Sequence, residues 1–317
     1  MNFPAFLTII ATLFLLLACG FLARKLGIID DVASKRLSTL IIKIGQPMMI
    51  ISALVEADFS RENLVDGFVI VGVGLILHTV VAVLAFFLCK GFRNLDERKI
   101  TEFSLIFTNT GFIGFPIMKA LLDAPGLFLA SFYLISFHLF MWSWGMAIIA
   151  RKRSDIKLTV RKIFINFGSI PCLIGVLLYM AVIPFPSFVI PPFILQFMSY
   201  LGGLCTPISV LITGALLATR TPRQIFASGK IYYFSALKLI AIPLFVCVLA
   251  KLLGLSEFMI MFCTVEAALP AAASITMFSE MHGLDAGYAS QTVGVSSLFS
   301  VGTLPLVILI AKWVAQL

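Results

Sequence analysis

Charge is what this chain has least of. Of its 317 residues only 12% are Asp, Glu, Lys or Arg, about half the share in soluble domains. There are three histidines, His78, His138 and His282, and no two are spaced to share a metal. The six cysteines contain no CxxC pair, which removes the usual metal and redox motifs and leaves buried small side chains. Gly-x-Ser-Gly, Gly-x-Gly-Asp and His-Glu-x-x-His are all absent, so nothing marks an intramembrane enzyme, and no cofactor is implied. No linker or low-complexity stretch announces a soluble domain. No Lys or Arg precedes the first apolar run. The stretch Leu16-Leu17-Ala18-Cys19-Gly20 therefore lacks the basic region of a cleaved leader, and residues 4–23 are expected to be a retained span.

What the chain does have is apolar length. Sixty-one per cent of residues are hydrophobic and the mean hydropathy is +1.09, outside the range of soluble globular proteins. About 20 apolar residues cross a bilayer. The pattern predicts ten spans, at 4–23, 37–55, 67–89, 100–121, 126–150, 163–183, 193–217, 231–252, 256–279 and 287–314. The fourth, ninth and tenth carry more Gly, Pro and polar side chains than the rest.

The net charge of +8 is not spread as a nucleic-acid binder would need. Lys and Arg number four in 24–36, four in 90–99, six in 151–162 and three in 220–230. The opposite loops and span ends hold only Arg61, Lys119, Lys251 and Lys312. Basic loops stay in the cytoplasm, so both termini are expected outside and the span number is expected to be even.

The basic loop 151–162 splits the chain into a first unit, 1–150, and a second, 163–317, of five spans each. An odd number inverts the second unit. The halves share punctuation, for Gly45-Gln46-Pro47 is answered by Cys205-Thr206-Pro207 about 160 residues later. Asn109 to Pro116 in span 4 is answered by Glu266 to Pro270 in span 9. Proline inside a span removes a donor and frees a carbonyl, which lipid cannot satisfy. Such paired interruptions point to the solute site of a transporter.

Four motifs in order carry a resemblance. They are Asn109-Thr110-Gly111-Phe112-Ile113-Gly114-Phe115-Pro116, Leu237-Lys238-Leu239-Ile240-Ala241-Ile242-Pro243, Leu269-Pro270-Ala271-Ala272, and a tail from Ala289-Ser290 through Ser296 to Thr303-Leu304-Pro305. Over essentially its whole length the chain resembles the auxin efflux carrier family. The resemblance implies an all-α membrane protein of ten transmembrane helices, built as two inverted five-helix repeats with crossed, proline-broken helices 4 and 9. Spans 1, 2, 6 and 7 would be a scaffold and homodimer interface, and spans 3–5 and 8–10 a mobile transport domain. Plant members export auxin anions, and bacterial members are associated with malonate, malate and related carboxylates. The chain lacks the long cytoplasmic loop of many plant members, and no targeting extension is expected. The expectation is therefore a bacterial carrier in the cytoplasmic (inner) membrane.

Few residues remain for chemistry. A bare charge at mid-bilayer costs about 2.5–3.5 kcal/mol on insertion scales, so Lys43, His78, His138, Lys238 and Glu266 each need a reason. Lys238 is the best fixed positive charge for an anion, with an ion pair to Glu266 or snorkelling toward Lys230 as the plain readings. Lys43, a turn before Pro47, reads more simply as snorkelling. Glu266 and His138 are coupling candidates. A low dielectric disfavours a bare carboxylate, which suits proton exchange, whereas a buried histidine is more often packing. Asn109 offers two donors and an acceptor, and the resemblance places a solute-contacting Asn here. Thr110, Gly111, Pro116 and Pro270 complete the expected solute site, with helix N-termini favouring an anion.

The function expected is a secondary transporter moving a small organic carboxylate by alternating access, elevator-like. The alternative is a sodium- or proton-coupled symporter or antiporter of the same inverted-repeat design with a different substrate. An antiporter would want paired acids, and Glu266 stands alone.

Overall fold

A computed structural model describes residues 3–55, 61–152, 159, 165–166, 168–182, 190–226 and 228–316. Part of the expected sixth span and of the basic loop 151–162 lies outside these residues. Every regular element among the described residues is a helix, apart from one isolated backbone bridge. Its helices are α1 (Phe3–Lys25), α2 (Asp31–Leu40), α3 (Gln46–Val55), α4 (Arg61–Leu88), α5 (Leu95–Ile106), α6 (Phe115–Phe140) and α7 (Met146–Ala150). There follow α8 (Ser169–Val182), α9 (Pro192–Gly203), α10 (Cys205–Leu217), α11 (Pro222–Phe226), α12 (Gly229–Ala236), α13 (Ile242–Leu252), α14 (Glu257–Ala268), α15 (Ser274–His282) and α16 (Ala286–Gln316).

Three pairs of these join through one wide π turn into continuous rods, at Ile41–Gly45, Met141–Gly145 and Leu237–Ala241, and a fourth π turn, Thr110–Gly114, opens α6. Three of the four stop two residues before a proline, at Pro47, Pro116 and Pro243. The cause is steric. A helical proline ring collides with the carbonyl four residues back, and widening the preceding turn moves that carbonyl away. The residue before each proline then donates five residues back, Gln46 to Ile41, Phe115 to Thr110 and Ile242 to Leu237.

Among the described residues six helical stretches are long and apolar enough to cross a membrane: Asp31–Val55, Leu64–Leu88, Ile117–Ala150, Pro192–Leu217, Gly229–Leu252 and Ala286–Val314. Their outward faces carry large apolar side chains such as Ile76, Phe87, Phe197 and Leu309, the surface a bilayer solvates. The longest stretch contains a bend at Asp123 (φ 55°), just before Pro125. That is the turn expected between the fourth and fifth spans.

Without a hydrophobic drive between helices in lipid, close packing decides which helices meet. The tightest approach joins α1 to α10. A side chain at Gly214 would lie 2.0 Å from the Leu17 carbonyl oxygen, and one at Gly20 would lie 2.1 Å from that of Leu211. Glycine in both helices permits that crossing.

Ion pairs gather the basic loops at one end of the molecule. Arg24 meets Asp31, Lys230 meets Glu97, and Arg220 meets Asp285. Arg151 takes the buried Glu102 carboxylate with two bonds of 2.8 Å. These contacts hold the Glu102 carboxylate against Arg151 and keep the Arg151 guanidinium above its ordinary range.

Candidate functional site

The two apolar segments that hold Pro116 and Pro270 are interrupted, and they meet. α5 ends at Ile106 and α14 at Ala268, after which both chains run extended. Thr108 and Ala271 form an antiparallel bridge. Asn109 N–H donates to the Pro270 carbonyl at 2.9 Å, and Ala272 N–H donates to the Phe107 carbonyl at 3.0 Å. Ser296 Oγ, from α16, accepts from Ala271 N–H at 3.2 Å. Backbone groups that lipid would leave unsatisfied are thus paired across the junction. Pro116 follows the π turn that opens α6, which moves the preceding carbonyls away from it.

Each charge at the junction sits at the matching end of a half-helix. The last carbonyls of α5 lack helical partners and carry partial negative charge. Lys238, fully buried, donates from Nζ to one of them, Leu105 O, at 3.0 Å. At the start of the next helix Thr110 Oγ1 donates to Glu266 Oε2 at 2.8 Å. Thr108 Oγ1 lies 2.9 Å from Thr110 Oγ1. Because the single Thr110 proton is used on Glu266, Thr108 is the donor in that pair. Lys238 and Glu266 do not form an ion pair.

Asn109 is held by its backbone, for its carbonyl also accepts from Ile113 and Gly114 at 3.1 and 2.8 Å. Asn109 lines two small cavities of about 20 Å³ each. One is largely apolar, between Leu13, Leu17, Val210 and Val293. The other is polar, with Gln46, Thr108, Thr110, His138 and Ser274 around it. The helices beginning at Thr110 and Ser274 both start at this second cavity, and in the second of them Ile275 and Thr276 N–H donate to the Ala272 and Ala273 carbonyls. Met49 and Gly111 line it too, and they also line a vestibule of about 360 Å³. That vestibule extends past Ser131 to Ala124, beside the Asp123 turn and away from the ion-paired end.

The structure therefore gathers Asn109, Thr110, Gly111 and His138 around one space. Lys238 lines a different cavity, with His78, Leu105, Thr108 and Tyr133. Lys43 is exposed on its helix. His78 packs among Phe107, Tyr133, Phe137 and Phe140, with Nδ1 2.6 Å from Gly74 O. Gln291 donates to Ile225 O, a helix-to-helix tie. Gln46, Met49 and Ser274 join the site unforeseen. A polar amide beside a mid-span proline was a signal for Gln46, but Met49 had none. Among the described residues no three His, Cys, Asp or Glu side chains are grouped to hold a metal ion.

A profile of the membrane transport protein family matches residues 5–162 and 156–308. The chain belongs to that family. An uncharacterized transporter of Methanothermobacter thermautotrophicus is 25% identical over 302 residues, covering 94% of this chain and 96% of its own. Another, from Methanocaldococcus jannaschii, is 22% identical over 309 residues, covering 96% and 97%. Both relatives are archaeal, and neither description names a solute. The chain is thus a multi-pass membrane transporter rather than an enzyme.

Proposed function

We propose that this transporter is a secondary carrier for a small organic carboxylate, with its solute site at the junction of the two interrupted segments. The observation that carries the reading is the backbone bridge between Thr108 and Ala271. It sets two helix starts against a buried polar cavity beside Asn109. Helix starts carry partial positive charge, the chemistry that holds an anion. Irregular backbone at membrane depth survives where it lines a cavity.

In this reading the chain makes ten passes as two inverted five-helix repeats, and α5–α6 and α14–α15 are the crossing broken spans. The ion-paired basic end faces the cytoplasm, consistent with the loop charges, and both termini lie outside. The vestibule at the other end admits solute to Asn109 and Thr110. Spans 3–5 and 8–10 then move as one body, elevator-like, against a scaffold of spans 1, 2, 6 and 7 that dimerises. Lys238 holds the broken end of α5, and Glu266 carries a coupling proton through Thr110.

Counterflow in proteoliposomes tests this. Labelled monocarboxylates and dicarboxylates are offered across a range of pH, with and without sodium. Saturable exchange of at least one carboxylate, lost in Asn109→Ala, is expected. Exchange of amines or neutral solutes alone would overturn the reading.

A further inference from the structure

Three cations gather around one phenylalanine at the basic end of the molecule. Lys90 Nζ lies 5.4 Å from the centre of the Phe86 ring, and the guanidinium carbons of Arg98 and Arg151 lie 5.5 and 5.8 Å from it. Lys90 also stands 4.3 Å from the centre of Phe87. They come from separate elements, for Lys90 follows α4, Arg98 is in α5 and Arg151 follows α7. Each is within the range at which a ring face attracts a cation.

The acids nearby do not balance this group. Glu102 is bonded to Arg151 by two contacts of 2.8 Å and lies 4.0 Å from Arg98 Nε. Glu97 is taken by Lys230, and Asp96 stands in the first turn of α5, where the helix end favours a negative charge. Among the described residues Lys90 makes no ion pair. Three cations against the one carboxylate of Glu102 leave an excess of two positive charges. All three remain reachable, since Lys90 is exposed and the side chains of Arg98 and Arg151 are 22% and 28% exposed.

Apolar surface leads straight to the group. Exposed side chains recur along α4 at helical spacing, Val69, Ile76, Val83 and Phe87, and the next step of the same stripe is Lys90. The Leu64–Leu88 stretch is long and apolar enough to cross a membrane, so this stripe faces acyl chains. Tyr233, also exposed, donates from its hydroxyl to Leu88 O at 3.3 Å. Tyrosine favours the boundary between hydrocarbon and water, which puts the headgroup layer at the end of α4.

A lipid lying along this stripe brings its phosphate to Lys90, Arg98 and Arg151. A zwitterionic headgroup brings no net charge against the excess, whereas an acidic one does. Guanidinium groups and phosphate oxygens form strong charge-assisted bonds, and basic side chains at a span end are suited to acidic headgroups. We propose that the end of α4 is a binding site for an anionic glycerophospholipid. Its phosphate sits among Lys90, Arg98 and Arg151, its chains run past Phe87 and Val83, and it ties together the ends of α4, α5 and α7. The site does not depend on which solute the transporter carries.

The test uses the full-length protein in an uncharged detergent. The probes are dioleoyl phosphatidylglycerol, dioleoyl phosphatidylcholine, glycerol 3-phosphate and inorganic phosphate. Native mass spectrometry counts bound lipid, and scanning fluorimetry reads the melting temperature. Phosphatidylglycerol should bind at concentrations at least about tenfold below phosphatidylcholine and raise the melting temperature. The two free phosphates at the same concentration should not raise it. Lys90→Gln should lower the preference for phosphatidylglycerol about fivefold, and Lys90→Gln combined with Arg98→Gln should bring it close to one. Arg36→Gln removes the same charge from an exposed position on α2 and should leave the preference within about twofold. No preference in the wild type, or equal losses in Lys90→Gln and Arg36→Gln, would overturn the site. Free phosphate stabilising as strongly as the lipid would overturn it too, because an ion would then suffice without chains. Lys90 is exposed, so its replacement leaves packing intact, and the wild-type panel decides the matter even where the double variant fails to fold.

Discussion

Thr110 gives its hydroxyl proton to Glu266 across 2.8 Å, although the two residues are 156 positions apart. The other carboxylate oxygen, Oε1, is buried without a partner. Thr110 also lines the cavity beside Asn109, so the state of Glu266 decides which way a hydroxyl at the site points. A charged Glu266 takes the Thr110 proton, whereas a protonated one can give its own and turn Thr110 toward the cavity. Lys238 is the titratable group whose charge acts on it. Glu266→Gln is expected to leave solute exchange in place and remove the pH dependence of net uptake. Counterflow and gradient-driven uptake, measured side by side over a pH series, check this. A variant whose uptake still follows pH would count against proton coupling here.

Asn109 is fixed by its backbone, and it lines two separate cavities. Asn109→Ala therefore keeps the bridge and costs little stability, within about 1 kcal/mol. What it should lose is stabilisation by solute. A ligand at a hundred times its dissociation constant adds about 2.7 kcal/mol to wild-type stability, and the variant should show almost none of that. Differential scanning fluorimetry with and without a transported acid reads both effects. A full ligand shift in the variant would remove Asn109 from the site.

Much of this was legible in the chain. Apolar length and the alternating loop charges gave the multi-pass, all-helical architecture. The Asn109–Pro116 and Glu266–Pro270 segments pointed to the junction, because proline and glycine at mid-span need a polar or close-packed environment. The pairing of partners was hidden. Lys238 and Glu266 are the natural ion pair in one dimension, yet each meets a half-helix end instead, Leu105 O for one and Thr110 for the other. Nothing in a linear pattern says that a carbonyl is freed at Leu105, since that depends on where α5 stops. Met49 was invisible for another reason. Its role comes from two glycines, Gly111 and Gly202, that approach it from different helices.

Lys238 and Lys43 separate a structural cation from a surface one. Lys238→Met removes the donor to Leu105 O at the end of α5 and leaves that carbonyl buried. The expected loss is about 1–3 kcal/mol, seen as a lower melting temperature, together with weaker transport because the bridge below Leu105 loosens. Lys43 is exposed, and Lys43→Ala should change stability by no more than about 0.5 kcal/mol. Equal losses in the two variants would mean that Lys238 is not a cap.

Met49 divides the polar cavity from the vestibule. A side chain at Gly111 would lie 2.7 Å from Met49 Cε, the free end of a flexible chain, whereas one at Gly202 would lie 2.9 Å from Met49 Cα, which is backbone. The two glycines should therefore respond differently. Gly111→Ala moves only a thioether tip and should be tolerated. Gly202→Ala has to shift a helix and should cost about 1–3 kcal/mol. Met49→Ala removes the partition, joining about 20 Å³ of polar space to about 360 Å³ of vestibule. Solutes with branched tails should then exchange at rates closer to unbranched ones. Competition counterflow between a branched and a straight-chain monocarboxylate gives that ratio directly. An unchanged ratio in Met49→Ala would show that solute size is limited elsewhere along the path.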